Sequence, residues 1–280
     1  MVSIIFGLAS ALSWGAGDFT GGMAARKVGA FRSVFYAEVI GIVFLFIVVG
    51  VMGESMLGSR SAVFALVAGA LGTIGLMLLY HAMAIGVMSI AAPVSALLAA
   101  TLPVIVGMFT QGLPDFLTIL GFGFALFAVW MISQGEGGVK DILSHLSDLK
   151  LPLIAGIGFG LYFVLMHEAT KAGGAFWPMI LSRSGGIVLI TAYLLITRSS
   201  IKIDTSALPI ITVNGLLDIG GNFFFILASQ SGRLDVASVL SSLFPGATVV
   251  LAWVFLKERL NRNQWIGIAA ALTAIVLMTI

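Results

Sequence analysis

Asn214, Asp218 and Asn222 recur every four residues in an apolar stretch running from Leu208 to Ser229. A four-residue step places all three on one face of a helix. An ionised aspartate at bilayer depth costs about 3 kcal/mol on insertion scales, so it calls for a cavity, a proton or a ligand to offset it. The alternative is a carboxyl held neutral by hydrogen bonds between helices. Asp218 is therefore the first candidate for substrate or proton contact, with Asn214 and Asn222 donating and accepting hydrogen bonds beside it. Asp18, Glu38 and His81 also lie in apolar stretches and form a candidate proton-handling or gating group, since paired or desolvated carboxyls titrate away from their usual range. For Asp18 and Glu38 the plainer expectation is pairing with Arg26, Lys27 or Arg32 at the membrane edge. Arg183 is a candidate anion partner for Glu38, Glu168 or a substrate carboxylate. Trp14 and Tyr162 offer rings suited to an organic or cationic guest, or to ordinary packing. Ser238, Ser241 and Ser242 share a helical face just before Pro245; Ser241 is the candidate contact there, although serines also serve helix packing.

Enzyme patterns are fragmentary. Gly15-Ala16-Gly17-Asp18 matches G-x-G-D, but the second aspartate needed to share a proton is not in a matching context. His167-Glu168 begins H-E-x-x-H, and the second histidine is Lys171. Gly156-x-Gly158-x-Gly160 follows no strand pattern, and no P-loop occurs. With no cysteine there is neither a disulfide nor a thiolate metal site. No catalytic residue, metal or cofactor is expected. An intramembrane enzyme and a structural or sensory membrane protein stand as alternatives to transport.

The elements that must hold these residues are legible in composition. Of 280 residues, 60% are hydrophobic and 9% charged, against about 25% charged in soluble domains. Apolar runs of about 20 residues indicate helices, since barrel strands are shorter and alternate. The first run lacks a basic leader and cleavage site and reads as a retained span. The spacing predicts an all-α membrane protein of ten spans, near 2–22, 31–51, 62–85, 88–109, 116–134, 152–170, 176–197, 207–229, 234–256 and 262–280. The one long connection, 135–151, has an apolar face and reads as an interfacial helix. It separates a first five-helix unit, 1–134, from a second, 152–280. At a shift of 145 to 146 residues Ala30-Phe31 meets Ala175-Phe176, Gly41 meets Gly186, Gly75 meets Gly220 and Gly121 meets Gly267. An odd number of spans per repeat inverts the second copy, and inverted repeats place a binding site near the midplane.

Trp14-Gly15, Ser182-Arg183 and Lys257-Glu258-Arg259-Leu260, followed by Gln264 and Gly267, carry a family resemblance. The chain resembles a ten-helix EamA-type member of the drug/metabolite transporter superfamily over essentially its whole length. The resemblance implies an alternating-access carrier of a small metabolite or drug, export as the direction, and a cavity among spans 1, 3, 4, 6, 8 and 9. The chain departs from the pattern where Gln111-Gly112-Leu113 replaces the first closing turn and Glu38 occupies the position matching Arg183.

Connections after odd-numbered spans hold most of the lysines and arginines, which makes that side cytoplasmic and puts both termini outside. The family habit is the reverse. Three acids against one arginine in the spans favour a cationic or zwitterionic substrate, with protons a candidate coupling ion. Net charge of +2 gives no basis for nucleic-acid binding. The expected setting is a monomer among the lipids of a bacterial or archaeal plasma membrane (the inner membrane where there are two).

Overall fold

The computed structural model describes residues 1–84, 88–133, 150–257 and 260–279, with backbone only at 79–84, 88–94, 133, 252 and 256. A chain in lipid must satisfy its backbone polar groups within itself, and long apolar runs do so as helices. Helices α1 (Val2–Val28), α2 (Ala30–Met52), α3 (Ser59–Ala84), α4 (Met88–Gln111) and α5 (Phe116–Ser133) come from the first half. Then follow α6 (Lys150–Thr170), α7 (Phe176–Ile196), α8 (Leu208–Gln230), α9 (Leu234–Ser241), α10 (Phe244–Leu256) and α11 (Arg262–Leu277). Among the described residues there is no strand. Among the described residues seven stretches are long and apolar enough to cross a membrane, and Ser95–Gln111 and Phe116–Ile132 are shorter apolar helices. The chain is an all-helical, multi-pass membrane protein. Val43, Phe44, Ile47, Val188 and Leu272 point outward, as lipid-facing side chains should.

Two departures from the expected spans have physical causes. The first helix continues past residue 22 to Val28 and turns into α2 through Gly29 alone, at φ 88°. Such a corner needs a residue without a Cβ. Asp18 therefore lies ten residues, about 15 Å, from the end of α1, deeper than expected. The expected ninth span is two helices, broken at Ser242 and Leu243. Pro245 has no N–H and its ring conflicts with the carbonyl four residues earlier; the break is bridged by short bonds from Leu243 N to Leu240 O (3.2 Å) and Gly246 N to Leu243 O (2.9 Å). The last helix starts at Asn261, where Gln264 N donates to Asn261 Oδ1 and Asn261 N to Gln264 Oε1, at 2.8 and 2.9 Å. This reciprocal cap gives Gln264 a definite structural role. The interfacial helix expected over 135–151 and the pair Glu258-Arg259 lie almost wholly outside the described residues.

Helix α1 lies antiparallel against α8, α3 against α6, α2 against α7 and α5 against α11, while α4 leans on α6 and α9 with α10 on α1. Lipid offers no hydrophobic drive between helices, so close packing and polar contacts must join them. On α1, Ser3, Ser10 and Ser13 donate to the α8 carbonyls of Ala228, Gly221 and Leu217 at 2.8, 2.8 and 2.9 Å. Gly215 of α8 approaches α2 so closely that a Cβ would stand 2.8 Å from the Ala37 carbonyl oxygen.

One end of the bundle carries the Gly29 corner and the 197–207 connection, tied together by Tyr36 Oη to Ile201 O at 3.0 Å and Arg32 Nη1 to Lys202 O at 3.3 Å. The other end is latched more fully. There Glu54 accepts from the Ala175, Phe176 and Trp177 amides at 2.9–3.2 Å, and Trp177 Nε1 donates to Glu54 O at 2.9 Å. Arg233 holds buried Asp235 and donates to the Gln111 and Gly112 carbonyls at 3.1 and 2.5 Å. Asp115 precedes α5 and accepts from Thr118; those hydrogen bonds hold its carboxyl below the usual carboxylate range.

Candidate functional site

Arg183, two turns into α7 and 6% exposed, is the residue around which the polar interior is built. Its Nη1 donates to Glu38 Oε2 of α2 at 2.7 Å, and its Nη2 donates to Asp218 Oδ2 of α8. The planar, forked guanidinium suits this double engagement. Gly41, one turn beyond Glu38, makes the approach possible, because a Cβ there would stand 2.7 Å from Arg183 Nη1. Of the candidate anion partners, Glu38 is thus the one that Arg183 meets. Glu168 pairs with Lys171 instead of Arg183.

Asp218 is further fixed from its own helix. Asn222 Nδ2 donates to the Asp218 backbone carbonyl at 2.7 Å and to its Oδ2 at 3.2 Å, and Tyr162 Oη of α6 donates to Asn222 Oδ1. Four helices, α2, α6, α7 and α8, thus contribute one chain of hydrogen bonds from Glu38 through Arg183, Asp218 and Asn222 to Tyr162. A buried network of this kind is rigid when each member is satisfied.

This network borders a cavity of about 110 Å³ lined by Trp14, Asp18, Glu38, Arg183, Asn214 and Asp218, with Gly17, Gly21, Ala25, Ser33, Val34, Ala37 and Leu76. It runs from Trp14 toward Ala25 and Ser33, the turns flanking the Gly29 corner, and so toward the end that carries Arg32 and Lys202. Behind it Trp14 packs on Phe163, Phe225 and Phe244 with ring centroids 5.5, 6.0 and 6.5 Å away, which closes the opposite direction. Asp18 borders the cavity without a hydrogen-bond or ion-pair partner among the described residues.

The structure thus gathers six sequence candidates on one cavity: Asp218, Asn214, Glu38, Asp18, Arg183 and Trp14. Asn222 and Tyr162 stand behind the wall, attached to Asp218 by hydrogen bonds. Ser241 is fully buried, does not line the cavity, and has no hydrogen-bond partner among the described residues. Its position follows from the break after α9, which packs this short helix into the bundle. The side chain of His81 lies outside the described residues. The expected pairing of Asp18 and Glu38 with Arg26, Lys27 or Arg32 does not occur; the longer α1 carries Asp18 away from those groups. Ser33, Ala37, Gly41 and Leu76 were missed as site residues because small or apolar types carry no chemical signal. The coincidence of Gly41 with Gly186 in the repeat is the one hint at its importance. Among the described residues no cluster of His, Asp and Glu is arranged to hold a metal ion.

Away from this cavity, a concavity of about 470 Å³ at the latched end is lined by His167, Thr170, Lys171, Gly173, Ser229, Gln230 and Gly232. It shares no residue with the Arg183 site.

Three comparisons bear on identity. The family described as "EamA-like transporter family" matches residues 148–280. An uncharacterized protein of Methanocaldococcus jannaschii is 33% identical over 95 residues, 34% of this chain and 69% of that protein. An uncharacterized solute carrier family 35 member of Schizosaccharomyces pombe is 36% identical over 63 residues, 22% of this chain and only 12% of its own length. A solved crystal structure superposes with a TM-score of 0.84 at 15% identity, covering 99% of this chain and 96% of the other, which establishes a shared fold. The helical membrane architecture and these similarities agree: the chain belongs to the EamA-like transporter family.

Proposed function

We propose that this membrane transporter is a secondary carrier that moves a small organic solute by alternating access through the Arg183 cavity. The observation that carries the reading is a polar cavity within the apolar bundle, extended toward one end and backed by aromatic rings at the other. In a carrier such an arrangement is one of two access states.

Ten spans in two inverted units are part of the proposal. Its support is the pairing of equivalent helices: α1 on α8 corresponds to α3 on α6, while α2 on α7 and α5 on α11 each pair with their own counterpart. Asp218 and Asp18 are the proposed contacts for solute or proton, with Asn214 alongside. Arg183 and Glu38 set the field around Asp218, Asn222 and Tyr162 hold its orientation, and Trp14 forms the floor. His81 is retained as a candidate gating group. Export across the cell membrane, driven by exchange for protons, completes the reading.

The test is radiotracer counterflow in proteoliposomes across a panel of amines, amino acids and sugars, with and without a pH gradient. Unchanged solute should exchange, and Asp218→Asn should abolish gradient-driven movement while the purified variant remains folded. Wild-type rates and pH dependence in Asp218→Asn would overturn the assigned role. Chemical conversion of the solute would instead indicate an enzyme.

A further inference from the structure

The charge balance and size of the cavity narrow the class of solute. Asp18, Glu38, Asp218 and Arg183 all border it, so with every group ionised the wall carries a formal excess of negative charge. Both terminal nitrogens of Arg183 are already committed, Nη1 to Glu38 and Nη2 to Asp218. A solute carboxylate would bring a third negative charge to a guanidinium that already balances two acids, beside Asp18, with no further cation on the described wall to offset it. No other lysine or arginine lines the cavity among the described residues. Asp18, by contrast, borders it with no hydrogen-bond or ion-pair partner among the described residues.

The remaining wall also suits a cation. The Trp14 ring is a π surface, able to attract an ammonium group across its face. The Asn214 side chain offers an amide oxygen as acceptor. At about 110 Å³ the cavity is well below the roughly 300–1,000 Å³ of sites that enclose drug-sized molecules. Resting on the carrier reading of the same site, we propose that the solute is a compact organic cation, a short aliphatic amine whose ammonium is received between Asp18 and Asp218 over the face of Trp14. The Arg183 pairs remain intact, so the guanidinium fixes the geometry of Asp218 and does not bind the solute. This removes the zwitterion from the alternatives that three acids and one arginine leave open.

The test is direct binding to the purified full-length protein in detergent micelles. Ethylamine, butylamine and hexylamine are titrated by calorimetry, with the carboxylic acids and alcohols of equal chain length as controls. The short amines should bind saturably and raise the unfolding temperature, and Asp18→Asn should weaken them by about tenfold or more through loss of a charge-assisted contact. The unfolding temperature of unliganded Asp18→Asn serves as the folding control. A Trp14→Leu variant gives an independent reading and should also weaken the amines. Equal amine affinity in both variants, or binding of the acids or alcohols in preference to amines, would overturn the proposal. Counterflow separates this proposal from the carrier reading beneath it. Amine binding without counterflow of any solute leaves the cation site standing and removes the carrier. Counterflow of a non-cationic solute by a protein that binds no amine removes the cation class and leaves the carrier.

Discussion

Arg183 gains its significance from what would remain without it. Its guanidinium is buried and answers two partly exposed carboxylates from different helices, Glu38 and Asp218. Breaking a buried ion pair by removing one partner typically costs about 3–5 kcal/mol, whereas replacing the whole set by neutral groups is often close to neutral. Arg183→Ala should therefore be strongly destabilised, by about 3–5 kcal/mol. Arg183→Ala combined with Glu38→Gln and Asp218→Asn should recover much of that loss. Unfolding followed by tryptophan fluorescence in mixed micelles measures both. Equal stability of the single and triple variants would show that the two acids do not depend on Arg183. Arg183→Lys keeps the charge but cannot present two separated donors in one plane, so it should fall between the wild type and the alanine variant.

Among the elements, α2 and α7 meet through the Glu38–Arg183 pair and are fastened a second time at the end away from the cavity. The start of α7 presents unpaired amides, and the Glu54 carboxylate takes three of them while its carbonyl takes the Trp177 indole. A negative charge at a helix N-terminus is favourable through both the amides and the aligned peptide dipoles. Glu54→Ala should cost about 1–2 kcal/mol and loosen the latched end. That loosening should appear as faster hydrogen exchange at residues 171–177, measured by mass spectrometry, with residues 197–207 unchanged. Protection at 171–177 equal to wild type would deny the contact its fastening role. The broken pair α9 and α10 is a second device of this kind. Its discontinuity leaves α9 buried, with Ser238 and Ser241 among the residues packed into the bundle.

At the scale of the whole molecule, the two ends differ in charge as well as in closure. Arg26, Lys27, Arg32, Arg198 and Lys202 gather at the end toward which the cavity runs. At the latched end Lys171 and Arg233 are neutralised by Glu168 and Asp235. The positive-inside tendency then puts the cavity mouth toward the cytoplasm. Because the chain has no cysteine, single introduced thiols report orientation without background. Met56→Cys should be labelled by a membrane-impermeant maleimide in intact cells, and Ser200→Cys only after permeabilisation. The reverse pattern would place the mouth outside and favour the family habit over the charges.

How much of this the amino-acid order determined by itself follows from which forces are local. Length and apolarity of a run decide whether a segment crosses lipid, so the helical class and most helix limits were legible within a few residues. The four-residue spacing of Asn214, Asp218 and Asn222 was likewise legible as one face. The corner at Gly29 was not, because an eight-residue connection carrying Arg26 and Lys27 and a longer helix with a one-residue turn look alike until packing selects between them. Which charges meet was settled only in three dimensions. Glu38 is 145 residues from Arg183, and their contact depends on the room left by Gly41 and on the length of one side chain. The same packing set Asp18 on the cavity without a partner among the described residues, put Tyr162 behind the wall and buried Ser241. Hydropathy records how each residue partitions into lipid, one at a time; partner choice among buried polar groups depends on helix crossings built by small residues, and only the assembled bundle holds that information.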